Sequence, residues 1–479
     1  MRPSSLLCTM FVTLASIASA QAPTYDVVIA NGRVMDPESG LDAIRSIGIR
    51  NGKIAGISAT PLAGKTTIDA KGLVVAPGFI DLHAHGQDDE NYRIFAMDGV
   101  TTALELEVGT SDIPQFYQSR EGKALINYGA SVGHIRERMV VMKDPSTGLL
   151  PTEDGARRVA TDAQIADIRR GIENGLAAGA LGVGMGLQYT PAASEYEVLE
   201  AFRAAAKYHA PVFVHVRSWG TRDPGSSVGA FMEVISAAAI SGAPLHIVHL
   251  NSMSLESTPK TLAIVKDARA HGIDVTTEAY PYIAGMTEIT SALLDQYANG
   301  PDSNFSKLML VRTGERLTRA TFPDARKAGG MVILFLNTPE MEALAITSPL
   351  TAIASDGQIE NGKGHPRTAG TNARTLAHYV RETKQLTLME ALRKMTLMPA
   401  QRLEKLAPVF GNKGRIKVGA DADISVFDPA IVADRSTYQQ PALPSVGFRY
   451  VFVNGVPVVM DGAPRDGVFP GRGQRAPIH

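Results

Sequence analysis

Cysteine is almost absent from this sequence. Of the 479 residues only Cys8 is a cysteine, and it lies in an N-terminal stretch that we expect to be removed. The mature chain would then have no disulfide and no thiolate to offer a metal ion. A metal would have to be held by nitrogen and oxygen ligands, such as imidazoles and carboxylates.

An excess of charge and long apolar runs are also missing. Lys and Arg total 47 and Asp and Glu total 48, so the formal net charge is −1. This balance gives no electrostatic basis for binding a nucleic acid or an acidic membrane surface. No segment after the N-terminus reaches about 18 consecutive apolar residues, so no membrane span is predicted. The oligomeric state stays open.

The first 20 residues have the pattern of a secretory signal peptide. Arg2 provides the positive charge, residues 6–17 are apolar, and Ala18, Ser19 and Ala20 fit the small-residue rule for cleavage. We therefore expect cleavage near Ala20 and a mature protein that is periplasmic or secreted.

Strand patterns occupy both ends of the mature chain. Asn-Gly pairs at 31–32, 51–52 and 454–455 separate alternating apolar runs, which is typical of two-residue β-hairpins. We predict that residues 21–75 and residues 409–479 together form one small β-sandwich.

The middle of the chain, residues 76–408, alternates strand-like apolar runs with amphipathic helices. Thr161 and Gln164, for example, form a capping box before a helical pattern. Repeated β–α units over roughly 300 residues predict an α/β fold, a TIM-like (β/α)₈ barrel, with a doubly wound open sheet as the alternative. A break in this pattern at about 290–345 indicates an insertion in a βα loop over the active face.

Five polar residues each end a strand-like run. His83 and His85 end "LVVAPGFIDLHAH", His215 ends "APVFVH", His249 ends "APLHIVH", and Asp356 ends "PLTAIASD". The C-terminal strand ends of a barrel form one face, so these side chains are expected to converge. Four imidazoles and a carboxylate suit a divalent metal, and Zn²⁺ is the ion we favour, with one or two ions bound.

Two glutamates share one face of the next predicted strand. Glu105 and Glu107 in "GVTTALELEVG" would both point inward, where unpaired carboxylates are costly. We favour Glu107, nearer the barrel mouth, as a bridging metal ligand, with Glu105 as the alternative. Arg136 or Arg138 could instead neutralise them in a purely structural arrangement. His246, three residues before a predicted ligand, is expected to pack against a helix.

Segments in this order resemble a known family. The segments are "VVAPGFIDLHAHG", "GVTTALELEVG", "GALGVGMGLQYTP", "VFVHVRS", "LHIVHLN", "TTEAYPYIAG", "ASDG", "GHPRTAG" and "GRIKVGADADISVFDP". They resemble the amidohydrolase superfamily and, within it, the D-aminoacylase (N-acyl-D-amino-acid deacylase) group. The resemblance spans about residue 25 to residue 459. It implies a distorted (β/α)₈ barrel, a small β-sandwich built from both termini, and metal-dependent hydrolysis of non-peptide C–N bonds.

The resemblance also implies roles for particular residues. It makes Asp356 the catalytic aspartate and assigns the metal to His83, His85, His215 and His249. It further implies that the carboxylate of the substrate is held by Tyr189, Tyr282 and Arg367. The planar guanidinium of an arginine suits a carboxylate because it can bind both oxygens.

Two positions depart from the pattern of that family. Val108 stands where the family has a bridging cysteine, directly beside Glu107. An oxygen bridge favours a true two-metal site and leaves the identity of the metal open among Zn²⁺, Mn²⁺ and Co²⁺. Asn251, a further predicted substrate-binding residue, stands where the family has a lysine that binds the substrate carboxylate, which weighs against acidic D-amino-acid products.

These residues predict cleavage of the amide bond of an N-acyl amino acid by metal-activated water, with Asp356 as general base. The loops leave open a cyclic amide, a lactone or a dipeptide as the substrate. The alternative from another functional class is a secreted binding protein with an inactive barrel. That alternative does not explain why all five strand-end residues are present. A sugar-active barrel would need two well-separated carboxylates and no histidine cluster.

Overall fold

A computed structural model describes residues 25–479 of the chain. The predicted signal peptide, with Cys8, lies outside the described residues. Within residues 25–479, no helix combines the length and the apolar character needed to cross a bilayer.

The strands of the described chain belong to a barrel, a small terminal sheet, an insertion and a two-stranded hairpin, β17-β18, that follows the last barrel strand. In chain order they are β1 (Tyr25–Asp36), β2 (Leu41–Arg50), β3 (Lys53–Ser58), β4 (Gly64–Asp69), β5 (Val74–Pro77), β6 (Phe79–Asp81), β7 (Val100–Thr110), β8 (Asn127–Gly133), β9 (Val183–Gly186), β10 (Val212–His215), β11 (Leu245–Ile247), β12 (Val275–Ala279), β13 (Ala284–Glu288), β14 (Leu308–Leu310), β15 (Met331–Phe335), β16 (Thr351–Ile353), β17 (Ile359–Glu360), β18 (Lys363–Gly364), β19 (Ile424–Phe427), β20 (Phe448–Val453), β21 (Val456–Met460) and β22 (Ala463–Pro464).

The helices mostly connect the barrel strands. In chain order they are α1 (Asp89–Met97), α2 (Ile113–Gln118), α3 (His134–Met142), α4 (Asp154–Arg157), α5 (Asp162–Ala177), α6 (Glu195–Lys207), α7 (Ser227–Ser241), α8 (Leu250–Ser254), α9 (Thr258–Ala270), α10 (Asp302–Phe305), α11 (Phe322–Ala328), α12 (Pro339–Thr347), α13 (Arg367–Arg374), α14 (Leu388–Met395) and α15 (Leu397–Leu403). A π-helical segment, Thr375–Glu382, continues α13, and 3₁₀ turns occupy Leu255–Ser257, Ala292–Tyr297 and Pro408–Asn412.

Eight parallel strands form the central barrel. They run β6-β7-β8-β9-β10-β11-β12-β16, which is their order along the chain. The two edge strands meet just beyond their ends, where the backbone N–H of His85 donates to the carbonyl of Gly357 (3.0 Å) and that of Ser355 donates to the Asp81 carboxylate (3.0 Å). A doubly wound sheet would reverse its strand order, so the predicted (β/α)₈ barrel is confirmed.

Apolar side chains from the barrel strands pack on both sides of the barrel wall. Leu104, Leu106 and Phe213 lie in one buried cluster with Leu403 of α15 and Phe410, which cover the lower end of the barrel. Residues of opposite parity pack against the surrounding helices.

Helix α5 begins where the sequence predicts. The Thr161 hydroxyl accepts a hydrogen bond from the backbone N–H of Gln164, and the Gln164 side chain accepts one from the backbone N–H of Thr161. This reciprocal capping box satisfies two amides that the first helical turn leaves without partners. Ile165, Ile168 and Ile172 then face the barrel core.

The strands at the two ends of the described chain form one sheet. Its order is β22-β21-β20-β19-β5-β1-β2-β3, with β4 paired to β1. Asp423, just before β19, accepts hydrogen bonds from Asn127 of β8 (3.0 Å), from Lys413 (2.7 Å) and from the backbone N–H of Asn454 (2.7 Å). This confirms the predicted small sheet domain from both termini, and the buried network attaches it to the barrel.

The segment between β12 and β16 contains a second small sheet. Its antiparallel order is β13-β15-β14, and α10 to α12 accompany it. Leu293 and Leu334 of this segment lie in a buried cluster with Val108 and Tyr189 from the barrel loops. The segment therefore covers the C-terminal strand ends, where the predicted site residues lie.

Candidate metal centre

The polar residues predicted at the strand ends come together at the mouth of the barrel. His83 and His85 follow β6, His215 ends β10, His249 follows β11, and Asp356 follows β16. All are buried or nearly so, with side-chain exposures between 0% and 11%. Their convergence follows from the barrel, because the C-terminal ends of its parallel strands meet on one face.

The carboxylate of Glu107, on β7, lies at the middle of this group. Its Oε2 atom is 3.2 Å from the Nε2 atoms of both His83 and His85. Its Oε1 atom is 2.8 Å from Nδ1 of His215 and 3.2 Å from Nε2 of His249. Each oxygen of one carboxylate thus faces a different pair of imidazoles, which is the arrangement of a ligand that bridges two cations.

The pair of His83 and His85 also faces a second carboxylate, that of Asp356. Oδ1 of Asp356 lies 3.4 Å from Nε2 of His83 and 3.3 Å from Nε2 of His85. The ligand atoms of these three residues all lie within 4.8 Å of one another, as do those of His83, Glu107 and His249. Either set could hold a metal ion.

Two backbone conformations at the centre are unusual. His249 has φ 31° and Asp356 has φ 53°, in the left-handed region that residues other than glycine seldom adopt. Such strained residues cluster at functional sites, where the surrounding structure holds them in place. Here the side chain of His249 faces Glu107, and that of Asp356 faces His83 and His85.

The buried carboxylates of Glu107 and Asp356 favour positive charge at the centre. Burial alone would lower the pKa of His83, but Asp356 and Glu107 outweigh it and raise the pKa to about 10. Burial alone would raise the pKa of Glu107, but His83, His215 and His249 hold it well below its usual range. The carboxylates thus favour positive charge on His83 and His85, whereas burial lowers the pKa of His215 to about 4. Divalent cations would supply positive charge to both histidine pairs. Oxygen and imidazole ligands without sulfur fit such ions.

The alternative that arginines neutralise the two glutamates is wrong. Arg138 pairs with Glu197, which also accepts from His134 (2.8 Å), and Arg136 donates to the carbonyl of Gly148 (2.7 Å). Both glutamates of β7 face histidines instead.

Asp356 is held from behind by an arginine. Arg367, which is 1% exposed, places Nη1 2.8 Å from Oδ2 of Asp356 and lies over the ring of Tyr280 at 4.5 Å. Burial alone would raise the pKa of Asp356, but Arg367 and His83 hold it well below its usual range. Asp356 is therefore an ionised carboxylate with Oδ1 facing the metal ligands.

The other predicted substrate-binding residues lie around one cavity beside the centre. The ring of Tyr189 packs on His215 at 4.5 Å between ring centroids. The hydroxyl of Tyr282 donates to Asp434 (3.3 Å), away from the metal ligands. Asn251 donates through Nδ2 to the carbonyl of Tyr280 (3.0 Å), and its Oδ1 is buried without a hydrogen-bond partner among the described residues.

The lining of this cavity is mainly apolar. His215, His249 and Asp356 line it, and among the described residues the other titratable side chains of its wall are tyrosines. Neither lysine nor arginine appears among the described residues that line it. The insertion and the neighbouring loops supply the apolar wall, namely Trp219, Met253, Leu255, Met286, Leu334 and Leu336.

Sequence reasoning missed a layer of polar residues behind the ligands. Glu278, the last residue but one of β12, accepts from both His83 (2.7 Å, at Nδ1) and His246 (3.0 Å, at Nε2). The expectation that His246 packs against a helix is wrong, because its ring lies inside the barrel, 5.2 Å from that of Phe213. Glu278 lies near the C-terminal end of a barrel strand, as the predicted residues do, and this position was the available signal.

The comparisons with known proteins agree with this geometry. The sequence model described as "Amidohydrolase family" matches residues 66–459. The chain is 28% identical to D-aminoacylase of Alcaligenes xylosoxydans xylosoxydans, over 92% of this chain and 96% of that protein. It is 30% identical to N-acyl-D-glutamate deacylase of the same organism, over 92% and 94%. The structure of N-acyl-D-glutamate deacylase from Bordetella bronchiseptica, complexed with zinc and a phosphonate inhibitor, superimposes with a TM-score of 0.80 at 26% identity, covering 95% of this chain and all of that one.

Proposed function

This chain belongs to the amidohydrolase family, and from that membership we propose that it hydrolyses N-acyl-D-amino acids to a carboxylic acid and a free D-amino acid. It is a metal-dependent amidohydrolase of the D-aminoacylase-like group. The observation that carries the proposal is the position of Glu107, whose two oxygens face two separate histidine pairs beside the apolar cavity.

The residues present fit a divalent cation at two neighbouring positions, and we propose Zn²⁺. His83, His85 and Asp356 would hold one ion, His215 and His249 the other, and Glu107 both. A divalent ion at such a centre acidifies water toward neutral pH and polarises the carbonyl of the scissile amide.

Asp356 is the proposed general base. Its Oδ1 lies at the edge of the centre, next to the cavity, and its low pKa keeps it ionised at neutral pH. It takes a proton from the attacking water and delivers it to the amide nitrogen when the C–N bond breaks. Arg367 fixes the carboxylate through Oδ2 and so directs Oδ1 toward the centre, where the proton transfer takes place.

The cavity positions the rest of the substrate. Asn251 lines the cavity, and its Oδ1 is buried without a hydrogen-bond partner among the described residues, so a small rotation of the side chain would let this atom accept an N–H of the substrate. Tyr189 lies against His215 at the same wall. The apolar lining favours an apolar acyl group or side chain over an acidic one. The signal-peptide pattern supports a periplasmic or secreted enzyme.

The test is hydrolysis of a panel of N-acetyl-D- and N-acetyl-L-amino acids, with elemental analysis of the same samples. We expect turnover of D-substrates by the wild type and two metal equivalents. Glu107→Ala and His215→Ala should each lose metal and at least about 100-fold in kcat/KM, since they remove direct metal ligands. The exposed residues Glu121 and His271, changed to alanine in the same way, are the matched controls and should retain both.

Other outcomes have definite meanings. Turnover of cyclic amides, lactones or dipeptides without turnover of any N-acyl amino acid would keep the metal chemistry and overturn the proposed substrate. A wild-type protein that binds no divalent metal after reconstitution would overturn the function altogether and favour a binding protein.

A further inference from the structure

A second cavity, of about 180 Å³, lies at the lower end of the barrel, away from the metal centre. Its wall is formed around the N-terminal ends of β11, β12 and β16, next to α15. Four of the residues that line this lower cavity are cationic, namely Arg269, Arg393, Arg402 and Lys405, and one is anionic, Asp274. The whole chain has a formal net charge of −1, so this excess of positive charge is local.

The positive charges around the lower cavity are only partly compensated. The carboxylate of Asp274 lies 2.9 Å from Nη1 of Arg402 and 3.6 Å from Nζ of Lys405. No carboxylate of the described residues forms an ion pair with Arg269 or Arg393. Each of these two arginines lies in the last turn of a helix, α9 or α14, where a basic residue is common because it interacts with the helix dipole. Neither alone therefore indicates a site, but both line one cavity together with Arg402.

Arg402 itself is buried and incompletely hydrogen-bonded. It is 7% exposed, and its Nη1 and Nη2 atoms donate to the two oxygens of Asp274 (2.9 and 3.3 Å). Its Nε atom is buried and has no hydrogen-bond partner among the described residues. A buried donor without an acceptor is costly. Because Arg402 lines the cavity, a small rotation of its side chain would let Nε–H reach an acceptor there.

The chemistry of the wall favours one class of ligand. Asp274 is already paired, and both ring nitrogens of His246 are engaged, by the hydroxyl of Thr276 (2.7 Å) and by Glu278 (3.0 Å). The groups that remain are guanidinium N–H donors, which suit the oxygens of carboxylates and phosphates. The excess of positive charge favours an anion with more than one negative charge over a monoanion.

We infer that the lower cavity is a binding site for a small multivalent oxyanion of the phosphate class, held by Arg269, Arg393 and Arg402. Such a ligand would connect α9, α14 and α15 at the lower end of the barrel, and it would stabilise the folded state by binding to it. The inference depends neither on the proposed metal nor on the proposed substrate, because the site lies apart from both.

Calorimetric titration with inorganic phosphate, at an ionic strength held constant with KCl, tests the site. A metal centre also attracts phosphate, so wild type and Glu107→Ala, which lacks a metal ligand, are titrated side by side. We expect one saturable phosphate site to remain in Glu107→Ala. In that background Arg269→Gln with Arg393→Gln should weaken phosphate binding by about 10-fold. Arg170→Gln with Arg222→Gln removes two exposed arginines outside the cavity and is the matched control, which should leave the affinity unchanged.

Further variants and ligands complete the test. Arg402→Lys keeps the positive charge but removes Nε–H and the planar fork, so it should also weaken phosphate binding. Arg269 and Arg393 are exposed, so their variants keep the test valid if a variant of the buried Arg402 does not fold. The absence of a saturable site in Glu107→Ala, or an affinity that the double variant leaves unchanged, overturns the inference. Acetate that binds as tightly as phosphate overturns the assignment to a multivalent ligand.

Discussion

At the scale of single residues, the candidate site depends on carboxylates whose two oxygens have different partners. Oδ2 of Asp356 contacts Arg367 and its Oδ1 faces the histidines, while each oxygen of Glu107 faces a different histidine pair. The strand-end positions of these residues could be predicted because each ends an apolar run, which is a local feature of the sequence. Their distances and pairings could not.

The position of His246 was missed for a specific reason. Counting back three residues from His249 by strand alternation puts His246 on the opposite face. The strand β11 ends at Ile247, however, and His249 has a left-handed backbone with φ 31°. The alternation breaks between the two histidines, so both reach the barrel interior. A sequence gives no direct signal of such a conformation in a residue other than glycine.

Replacing Asp356 separates metal binding from proton transfer. Asp356→Asn keeps the size of the side chain and an oxygen but removes the base, so we expect kcat to fall by about 10²- to 10⁴-fold. Zinc analysis on the same protein should find at least the ion held by His215 and His249 retained. A variant that keeps wild-type kcat would assign the proton transfer to another group.

At the scale of elements, the barrel could be predicted from the alternation of strands and helices in the sequence. Amphipathic helices and buried strands each have a characteristic spacing of apolar residues. The insertion was predicted only as a break in that pattern. Its strands are short, with β14 spanning only Leu308–Leu310, and its helices α10 and α11 have four and seven residues. Elements of this length carry too few periodic positions to be recognised, and tertiary packing decides their form.

The contact between α3 and α5 makes stability depend on pH. Glu137 of α3 is 8% exposed and packs against Gly171 of α5, where even an added Cβ would meet its carboxylate. Burial raises the pKa of Glu137 to about 7. Its protonated form therefore suits the folded state, and the folded state loses stability as the pH rises from about 4.5 through about 7.

Glu137→Gln should remove this dependence. We expect the variant and the wild type to have equal free energies of unfolding near pH 4.5. By pH 8 the free energy of unfolding of the variant should exceed that of the wild type by up to about 3 kcal/mol. Urea unfolding at several pH values measures the difference. The exposed Glu121→Gln should show no such divergence, and a Glu137→Gln difference that is constant with pH would contradict the assigned cause.

At the scale of the whole molecule, the two ends of the described chain are joined to the barrel by buried charge. Lys413, whose side chain is 1% exposed, lies 2.7 Å from Asp423 and 3.1 Å from Asp421. Asp423 also binds Asn127 of the barrel and Asn454 of the sheet. The sequence predicted that the termini share one sheet, since both have hairpin signals. It did not predict this buried network, because Asn127 lies 296 residues before Asp423 and each member alone resembles an ordinary polar residue.

Loss of this buried network around Asp423 should destabilise the protein far more than loss of an exposed ion pair. Asp423→Ala leaves Lys413 buried with only Asp421, and it deprives Asn127 and the Asn454 backbone of an acceptor. Breaking a buried, hydrogen-bonded charge pair costs about 3–5 kcal/mol. Asp42→Ala, which breaks the pair with Arg33 at 46% and 38% side-chain exposure, is the matched control and should cost no more than about 1 kcal/mol. Urea unfolding followed by circular dichroism compares the two. Equal losses would mean that packing alone, rather than the buried charges, attaches the terminal sheet to the barrel that carries the metal centre.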